Sequence, residues 1–232
     1  MWRHLEARAP GACTSRLRDA RLRRVEAAWY RGLVSALSPE ERTGLEARVE
    51  TAHAAGHSSR AVALLVEGYG PEVLSFLTAS LPDRDVAADV FSQACEDLLR
   101  TFSTFRRQCS YRTWVYALVR TAMRRHFDDP HVRRREPLVS SLDVEAARRT
   151  TTAAFLKTEW KDRFRALRDV LAPEDRALLV LRVDRELSWD DIVTVWNEQS
   201  SAPVTSASLR KRFERVKLTL REHATTAGWL PS

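Results

Sequence analysis

The chain has 232 residues, of which 44% are hydrophobic and 30% are charged, a composition typical of a soluble folded protein rather than a disordered one. Its seven glycines and nine prolines exclude collagen-like and glycine-rich architectures, and its three cysteines share no CxxC spacing that would indicate a disulfide framework or a zinc knuckle. The net charge of +7 favours a polyanionic partner.

Residues 1–58 are interpreted as an N-terminal extension that is partly disordered. Apolar residues at helical spacing predict a helix over about residues 16–37. The motif Ser-Pro-Glu-Glu predicts that a second helix begins at residues 38–41, with Ser38 as N-cap and Glu41 completing a capping box, and that it ends near Gly56.

Residues 59–128 are predicted to form the first helical domain. Residues 59–80 are strongly apolar, and the Gly68–Pro71 stretch predicts a kink or a break in that helix. Residues 83–102 form the next predicted helix, with acidic residues opposite its apolar face. A short irregular stretch leads to a helix over Tyr111–Phe127 that is apolar on one side and rich in arginine on the other.

Charge is distributed unevenly along the chain. Residues 61–99 carry one basic and seven acidic residues. By contrast, residues 100–135 carry ten basic and two acidic residues, and residues 203–232 carry six basic and two acidic residues. Two basic segments separated by acidic ones predict two polyanion contacts, the alternative being two solvated helix faces. In residues 100–135 the basic residues alternate with aromatic ones, as nucleic-acid surfaces require, which favours the first interpretation.

The second half of the chain is predicted to contain a linker and a second helical domain. Residues 129–154 have little periodicity and are predicted to be flexible. Residues 155–232 contain two short helices followed by a long one with an apolar stripe and a basic face. This order is typical of a helix-turn-helix, whose last helix reads the major groove; an ordinary amphipathic surface helix is the alternative.

Three stretches resemble bacterial sigma-70 family factors, in particular the small extracytoplasmic-function (ECF) type. CSYRTWVYALVRTAMRRHF (109–127) resembles region 2.3–2.4, and AADVFSQACEDLLRTFSTF (87–105) resembles region 2.2. LSWDDIVTVW (187–196), with the basic helix that follows it, resembles region 4.2. The resemblance implies an all-α fold of two small helical domains joined by a flexible linker, and a role in transcription initiation that involves no catalysis, cofactor or small-molecule substrate.

The resemblance also implies partners and contact residues. Core RNA polymerase would contact Asp89, Val90, Gln93, Glu96 and Asp97. The promoter −10 element would contact Phe105, Arg106, Arg107, Tyr111, Arg112, Trp114, Arg120, Arg124 and Arg125. The −35 element would contact Ser206, Ser208, Arg210, Lys211, Arg212 and Arg215. Burial in the domain core is the alternative for Val90 and Trp114. An anti-sigma factor is a further partner that the resemblance allows.

Two departures from the family pattern leave other functions open. The turn at residues 197–207 is longer than usual, and Thr121 stands where these factors often carry Asn. A helix-turn-helix regulator acting without polymerase, or a degenerate sigma-like interaction module, would share the C-terminal helices. The aromatic and basic stretch at 103–125 argues against the regulator, which does not need it.

The sequence contains no secretory h-region and no apolar run approaching 18 residues. We therefore expect a cytoplasmic protein that does not insert into a membrane. His53 and His57 have the spacing of a metal-binding pair, but no third ligand lies nearby in the sequence, and we expect no metal site.

Overall fold

The computed structural model describes residues 37–81, 83–130, 165–198, 200 and 202–229. The helix predicted over residues 16–37 and most of the predicted linker lie outside these ranges. The elements within them are helical and include no strand, so the predicted all-α class is confirmed.

The helices form two units. The N-terminal unit contains α1 (Pro39–Ala54), α2 (Ser58–Ser80), α3 (Arg84–Thr101), a 3-10 turn (Phe102–Thr104) and α4 (Tyr111–Asp128). The C-terminal unit contains α5 (Pro173–Leu179), a π-helical turn (Val180–Asp184), α6 (Trp189–Asn197) and α7 (Ser206–Thr226).

The helix start predicted from the capping motif at Ser38 is confirmed, and Ser188 caps another helix in the same way. The Ser38 Oγ accepts a hydrogen bond from the Glu41 backbone N–H at 3.2 Å, and the Ser38 N–H donates to the Glu41 carboxylate at 2.7 Å. At α6, the Ser188 Oγ accepts from the Asp191 backbone N–H at 3.1 Å. These caps satisfy backbone donors that have no partner inside the helix, so each motif defines where its helix begins.

Helix α1 packs on α2 and is part of the N-terminal unit, which therefore begins upstream of the first domain predicted at residue 59. Leu45 and Val49 are buried in the core between the two helices. Gly68 of α2 faces Leu45 so closely that a Cβ at position 68 would collide with the leucine side chain. The missing side chain thus permits the close approach of α1 and α2.

Helix α2 is continuous, so a break at Gly68–Pro71 does not occur. Proline removes one backbone donor, but the surrounding side chains Tyr69, Val73 and Phe76 are almost completely buried, and this packing holds the segment in the helix.

By length and composition, α2 could also cross a membrane, contrary to the expectation that no run of this kind exists. It is the one such helix in the described part of the chain. However, 56% of its most apolar 18-residue window is buried inside the protein, as in the core helix of a soluble domain.

Helix α4 lies between the two units. It contacts α3 of its own unit and α6 of the C-terminal unit. Nearly all residues from Tyr111 to Met123 are buried, although the sequence predicts one arginine-rich exposed face. The two units consequently share a continuous core, in which Leu178 and Ile192 belong to the same cluster as Leu118.

Candidate nucleic-acid interface

Four aromatic side chains meet where the loop after α3 joins α4. The Phe105 ring stacks on Trp114 with centroids 4.6 Å apart, and lies 5.0 Å from the Tyr111 ring. Phe102 stacks on Tyr111 at 6.2 Å. Phe102, Tyr111 and Trp114 are buried, whereas Phe105 is half-buried. Phe105 is therefore the ring that this cluster presents to solvent.

Two exposed arginines flank the exposed edge of the aromatic cluster. Arg106 and Arg107 follow Phe105 directly, and the Arg107 guanidinium lies 2.7 Å from the Glu50 carboxylate of α1. Arg107 has a φ of 57°, in the left-handed region that costs a non-glycine residue about 1 kcal/mol or more. An aromatic platform beside cations is the arrangement that binds single-stranded nucleic acid.

Glutamate side chains of α1 hold the start of α4. The Glu46 carboxylate accepts the backbone N–H groups of Tyr111 at 3.1 Å and Arg112 at 3.0 Å, and the Tyr69 hydroxyl at 2.9 Å. The Tyr111 hydroxyl donates to Glu50 at 2.8 Å. Burial and the neighbouring Glu50 raise the pKa of Tyr111, which keeps its hydroxyl protonated.

Sequence reasoning missed these two glutamates. Glu46, Glu50 and His53 lie at i, i+4 and i+7 on one face of α1, and this spacing is the signal that they act together. The Nδ1 atom of His53 lies 2.8 Å from the Tyr111 hydroxyl, whereas His57 is exposed at the start of α2. Within the described ranges, no three His, Cys, Asp or Glu side chains are grouped to hold a metal ion.

We predict that Glu46→Ala lowers the free energy of unfolding by about 2 kcal/mol, because two backbone donors and a tyrosine hydroxyl lose a charged acceptor. Urea denaturation monitored by circular dichroism would measure the change. Arg48→Ala, an exposed position on the same helix, is the control and should change the value by less than about 0.5 kcal/mol. Equal effects of the two substitutions would contradict the capping role.

Four of the residues predicted to contact the −10 element point into the protein, and the buried Tyr111 is one of them. Trp114 and Arg120 are only 6% and 7% exposed. Arg112 pairs with buried Glu72 and donates to the carbonyl oxygen of Arg185 at 3.0 Å. Contacts between the two units cover Arg112 and Arg120, whereas Phe102 and Phe105 of the same unit pack on Trp114. DNA cannot reach these side chains in this arrangement.

Buried charge at Arg112 and Arg120 is compensated to different degrees. Burial disfavours the charged form of Arg112, but the Glu72 carboxylate outweighs this and raises its pKa. At Arg120 burial dominates and lowers the pKa, although Glu174 opposes the shift. The ion pair of Arg120 is therefore the less favourable of the two.

The C-terminal end of α4 carries two further predicted −10 residues. Arg124 is half-buried, and Arg125 forms an ion pair with Asp97 of α3. Asp97 is 2% exposed and also pairs with Arg100. Asp97 thus ties α4 to α3 through Arg125. Arg124 forms no ion pair within the described structure.

The five predicted polymerase contacts divide between the interior and the surface. Val90 and Asp97 are buried, because both lie on the face of α3 that packs on its neighbours. Asp89 and Glu96 are exposed, and the half-buried Gln93 donates to Glu96 at 3.3 Å. The surface available to a partner therefore includes Asp89, Glu96 and part of Gln93, which is fewer than the five predicted residues.

The predicted −35 residues lie at the N-terminal half of α7, which docks through Leu209 and Val216. The exposed members are Ser208, Arg210, Lys211 and Arg215, and the half-buried members are Ser206 and Arg212. The Arg210 guanidinium lies 5.4 Å from the Trp189 ring centroid, and Arg212 pairs with Asp175 of α5. The exposed members form a basic surface suited to duplex DNA.

The long turn before α7 is closed by one side chain. The Asn197 amide donates to the Val204 carbonyl oxygen at 3.0 Å, and its oxygen accepts the Val204 N–H at 2.7 Å. Thr205 then caps α7 by accepting from the Ser208 backbone N–H. The extra residues are therefore accommodated without loss of a capped helix start.

Residues 65–134 match the family model of sigma-70 region 2. This part of the chain is a sigma-70 region 2 domain. The match includes most of α2, all of α3 and α4, and the aromatic and basic loop between them. None of the curated proteins matches the chain.

The region 2 domain supports a sigma-factor-type role in binding core RNA polymerase and promoter DNA. The aromatic cluster, Arg106 and Arg107 lie inside the matched range, as do the exposed acids of α3. Helices α5, α6 and α7 lie outside it.

Proposed function

We propose that the protein is a sigma-70 family initiation factor of the ECF type that acts in the cytoplasm. Region 2 captures unstacked −10 bases, and α7 binds the −35 duplex while core polymerase catalyses RNA synthesis. The observation that carries the proposal is the half-buried Phe105 ring stacked on Trp114, with exposed Arg106 and Arg107 beside it. A melted strand needs an aromatic face on which its bases stack and cations that contact its backbone.

The proposed polymerase-binding surface is the exposed side of α3. Asp89 and Glu96 supply negative charge there, and Leu99, 59% exposed, supplies an apolar contact. Charged residues around an apolar centre suit a basic protein partner, because the charges steer the encounter and the apolar contact adds affinity. An anti-sigma factor that competes with polymerase would be a further partner.

The proposed −35 reader is supported by the position of its cations. Arg210 and Lys211 are exposed near the N-terminus of α7, where the helix dipole also favours phosphate. Arg210 is additionally oriented by the Ser206 hydroxyl, which lies 3.2 Å from its Nε. An oriented arginine suits the two acceptors of guanine in the major groove.

Run-off transcription with purified bacterial core polymerase on a pool of genomic promoter fragments tests the function. We expect discrete transcripts that require the protein, and co-elution of the protein with core polymerase on gel filtration. Asp89→Lys combined with Glu96→Lys should abolish both, since it reverses the charge of the docking surface.

The matched control is Asp85→Lys combined with Glu67→Lys, which reverses two exposed charges elsewhere in the N-terminal unit. Co-elution without transcripts would favour a degenerate sigma-like module. DNA binding without either co-elution or transcripts would favour a helix-turn-helix regulator and would overturn the proposal.

A further inference from the structure

Both carboxylate oxygens of Glu50 on α1 contact the segment that carries the aromatic cluster. The Oε1 atom lies 2.7 Å from the Arg107 guanidinium, and the Oε2 atom accepts the Tyr111 hydroxyl at 2.8 Å. Arg107 lies in the loop between the 3-10 turn and α4, and Tyr111 is the first residue of α4. One side chain of α1 thus joins this loop to the helix that follows it.

The two residues that Glu50 holds are neighbours of the solvent-facing ring Phe105. The Tyr111 ring lies 5.0 Å from the Phe105 ring, and Arg107 follows Phe105 by two residues in the loop. The Tyr111 hydroxyl is held from a second side as well, because the Nδ1 atom of His53 on α1 lies 2.8 Å from it. The orientation of Phe105 therefore depends on contacts that α1 provides.

Arg107 adopts a backbone conformation that needs support from outside its own loop. Its φ of 57° lies in the left-handed region, which costs free energy at a residue that has a side chain. Strain of this kind persists only where the surrounding structure holds it. An ion pair between partly exposed side chains contributes free energy of the same order, so the contact with Glu50 offsets the cost and keeps the loop in this conformation.

The ion pair leaves part of the Arg107 guanidinium accessible to a further anion. Glu50 contacts the Nη1 atom, and 48% of the Arg107 side chain remains exposed. A guanidinium carries several N–H donors in a planar fork, so it can bind a carboxylate along one edge and a phosphate along another. Glu50 therefore orients this cation and still leaves it able to contact a DNA backbone.

We propose that Glu50 is a positioning residue for the capture of unstacked −10 bases. It holds Arg107 and Tyr111 so that Phe105 faces a base while Arg107 contacts the adjoining phosphate, and this preorganisation lowers the cost of binding. The inference rests on the proposed function and adds α1 to the −10 reader, although α1 lies outside the residues 65–134 that match region 2. Glu46 differs from Glu50, because it caps backbone N–H groups and its loss acts on stability.

The first test measures base capture by the full chain bound to core polymerase. The probe is a fluorescein-labelled promoter fork, taken from a promoter found by run-off transcription, whose non-template −10 bases are unpaired. Glu50→Gln keeps an acceptor for Tyr111 but removes the charge that pairs with Arg107. We expect it to bind the fork about fivefold more weakly by fluorescence anisotropy, as when the fraction of molecules with a capturing loop falls from nearly all to about a fifth.

Two controls separate positioning from net charge and from folding. Glu40→Gln removes an exposed acid at the other end of α1 and should leave fork binding unchanged. The urea midpoint of Glu50→Gln should stay within about 0.5 M of that of the unsubstituted protein, because the lost ion pair is partly exposed. Equal weakening of fork binding by Glu40→Gln and Glu50→Gln would show a general charge effect and overturn the inference.

The second test asks whether Glu50 acts through Arg107. In an Arg107→Ala background, Glu50→Gln should weaken fork binding by less than about 1.5-fold, because the residue on which Glu50 acts is already absent. A purely structural contribution would instead reduce the affinity by the same factor in both backgrounds. A further fivefold loss in the Arg107→Ala background would overturn the inference.

A third measurement uses the free chain and does not depend on polymerase. Limited trypsin digestion, followed by mass spectrometry, gives the rate of cleavage after Arg106. We expect Glu50→Gln to raise this rate about fivefold relative to Glu40→Gln, since ordered loops resist proteolysis.

The outcomes distinguish the inference from the function on which it rests. Unchanged or tighter fork binding by Glu50→Gln would overturn the inference, and tighter binding would show that the carboxylate competes with DNA for Arg107. If the unsubstituted protein neither binds core polymerase nor yields transcripts, the proposed function fails. Cleavage after Arg106 then still decides whether Glu50 positions the loop, and an unchanged rate would overturn that role.

Discussion

Glu72→Ala should lower the free energy of unfolding by about 3–5 kcal/mol, because it leaves two buried arginines without their shared carboxylate. Glu72 is 1% exposed and accepts hydrogen bonds from the Arg112 Nε at 3.1 Å and the Tyr116 hydroxyl at 2.9 Å. The Arg185 Nε lies 4.0 Å from the same oxygen. Urea denaturation of the full chain would measure the loss.

The matched control is Glu67→Ala, five residues earlier on α2, where the side chain is exposed. It should change the free energy of unfolding by less than about 0.5 kcal/mol. Glu72→Gln should give an intermediate loss, because it keeps an acceptor but removes the charge. A loss below about 1 kcal/mol for Glu72→Ala would show that the arginines find other partners or water, and would contradict this account.

The contrast between Glu67 and Glu72 shows what could not be predicted from the sequence. Both are acidic residues of one apolar helix, and nothing local distinguishes the exposed one from the buried one. Their difference comes from Arg112, which lies 40 positions later, and from Arg185 in the other unit. A pairing over that distance depends on how the helices pack, and no local spacing encodes it.

Local features were predictable because their causes are local. The Ser38 and Ser188 caps act on backbone N–H groups three residues away, so the motifs alone determine both helix starts. The aromatic and basic loop was likewise visible, because Phe105, Arg106 and Tyr111 are close in sequence. The continuity of the helix through Pro71 was not predictable, because the packing that tolerates the proline comes from other helices.

The sequence predicted that the arginines of α4 form a cationic face, but it did not predict which residues they contact. A helix face that binds phosphates and one that binds carboxylates need the same residues at the same spacing. Arg120 fits either role, and only the contact with Glu174, 54 positions away, distinguishes them. Asp97 gives the converse case, since an acidic residue predicted to bind polymerase is buried and instead pairs with Arg125 of α4.

Phe105→Ala should reduce transcription from a promoter identified in the run-off assay by about 10–100-fold, while co-elution with core polymerase stays unchanged. The basis is that stacking on an aromatic side chain contributes about 1–3 kcal/mol per base, and each 1.4 kcal/mol is a factor of about ten. Phe105 is the member of the aromatic cluster that reaches solvent, so it is the ring available to an unstacked base. Permanganate reactivity of −10 thymines would show whether strand opening is the step that fails.

Two variants separate base stacking from packing at this position. Phe105→Tyr keeps an aromatic face and should retain most of the activity. Phe105→Leu keeps apolar contact with Trp114 but removes the aromatic face, so it should resemble Phe105→Ala in strand opening while its unfolding free energy stays closer to that of the unsubstituted protein. If Phe105→Leu opened the promoter as well as the unsubstituted protein, the ring would act only by packing the loop on α4, and the bases would have to be held by Arg106, Arg107 and the backbone.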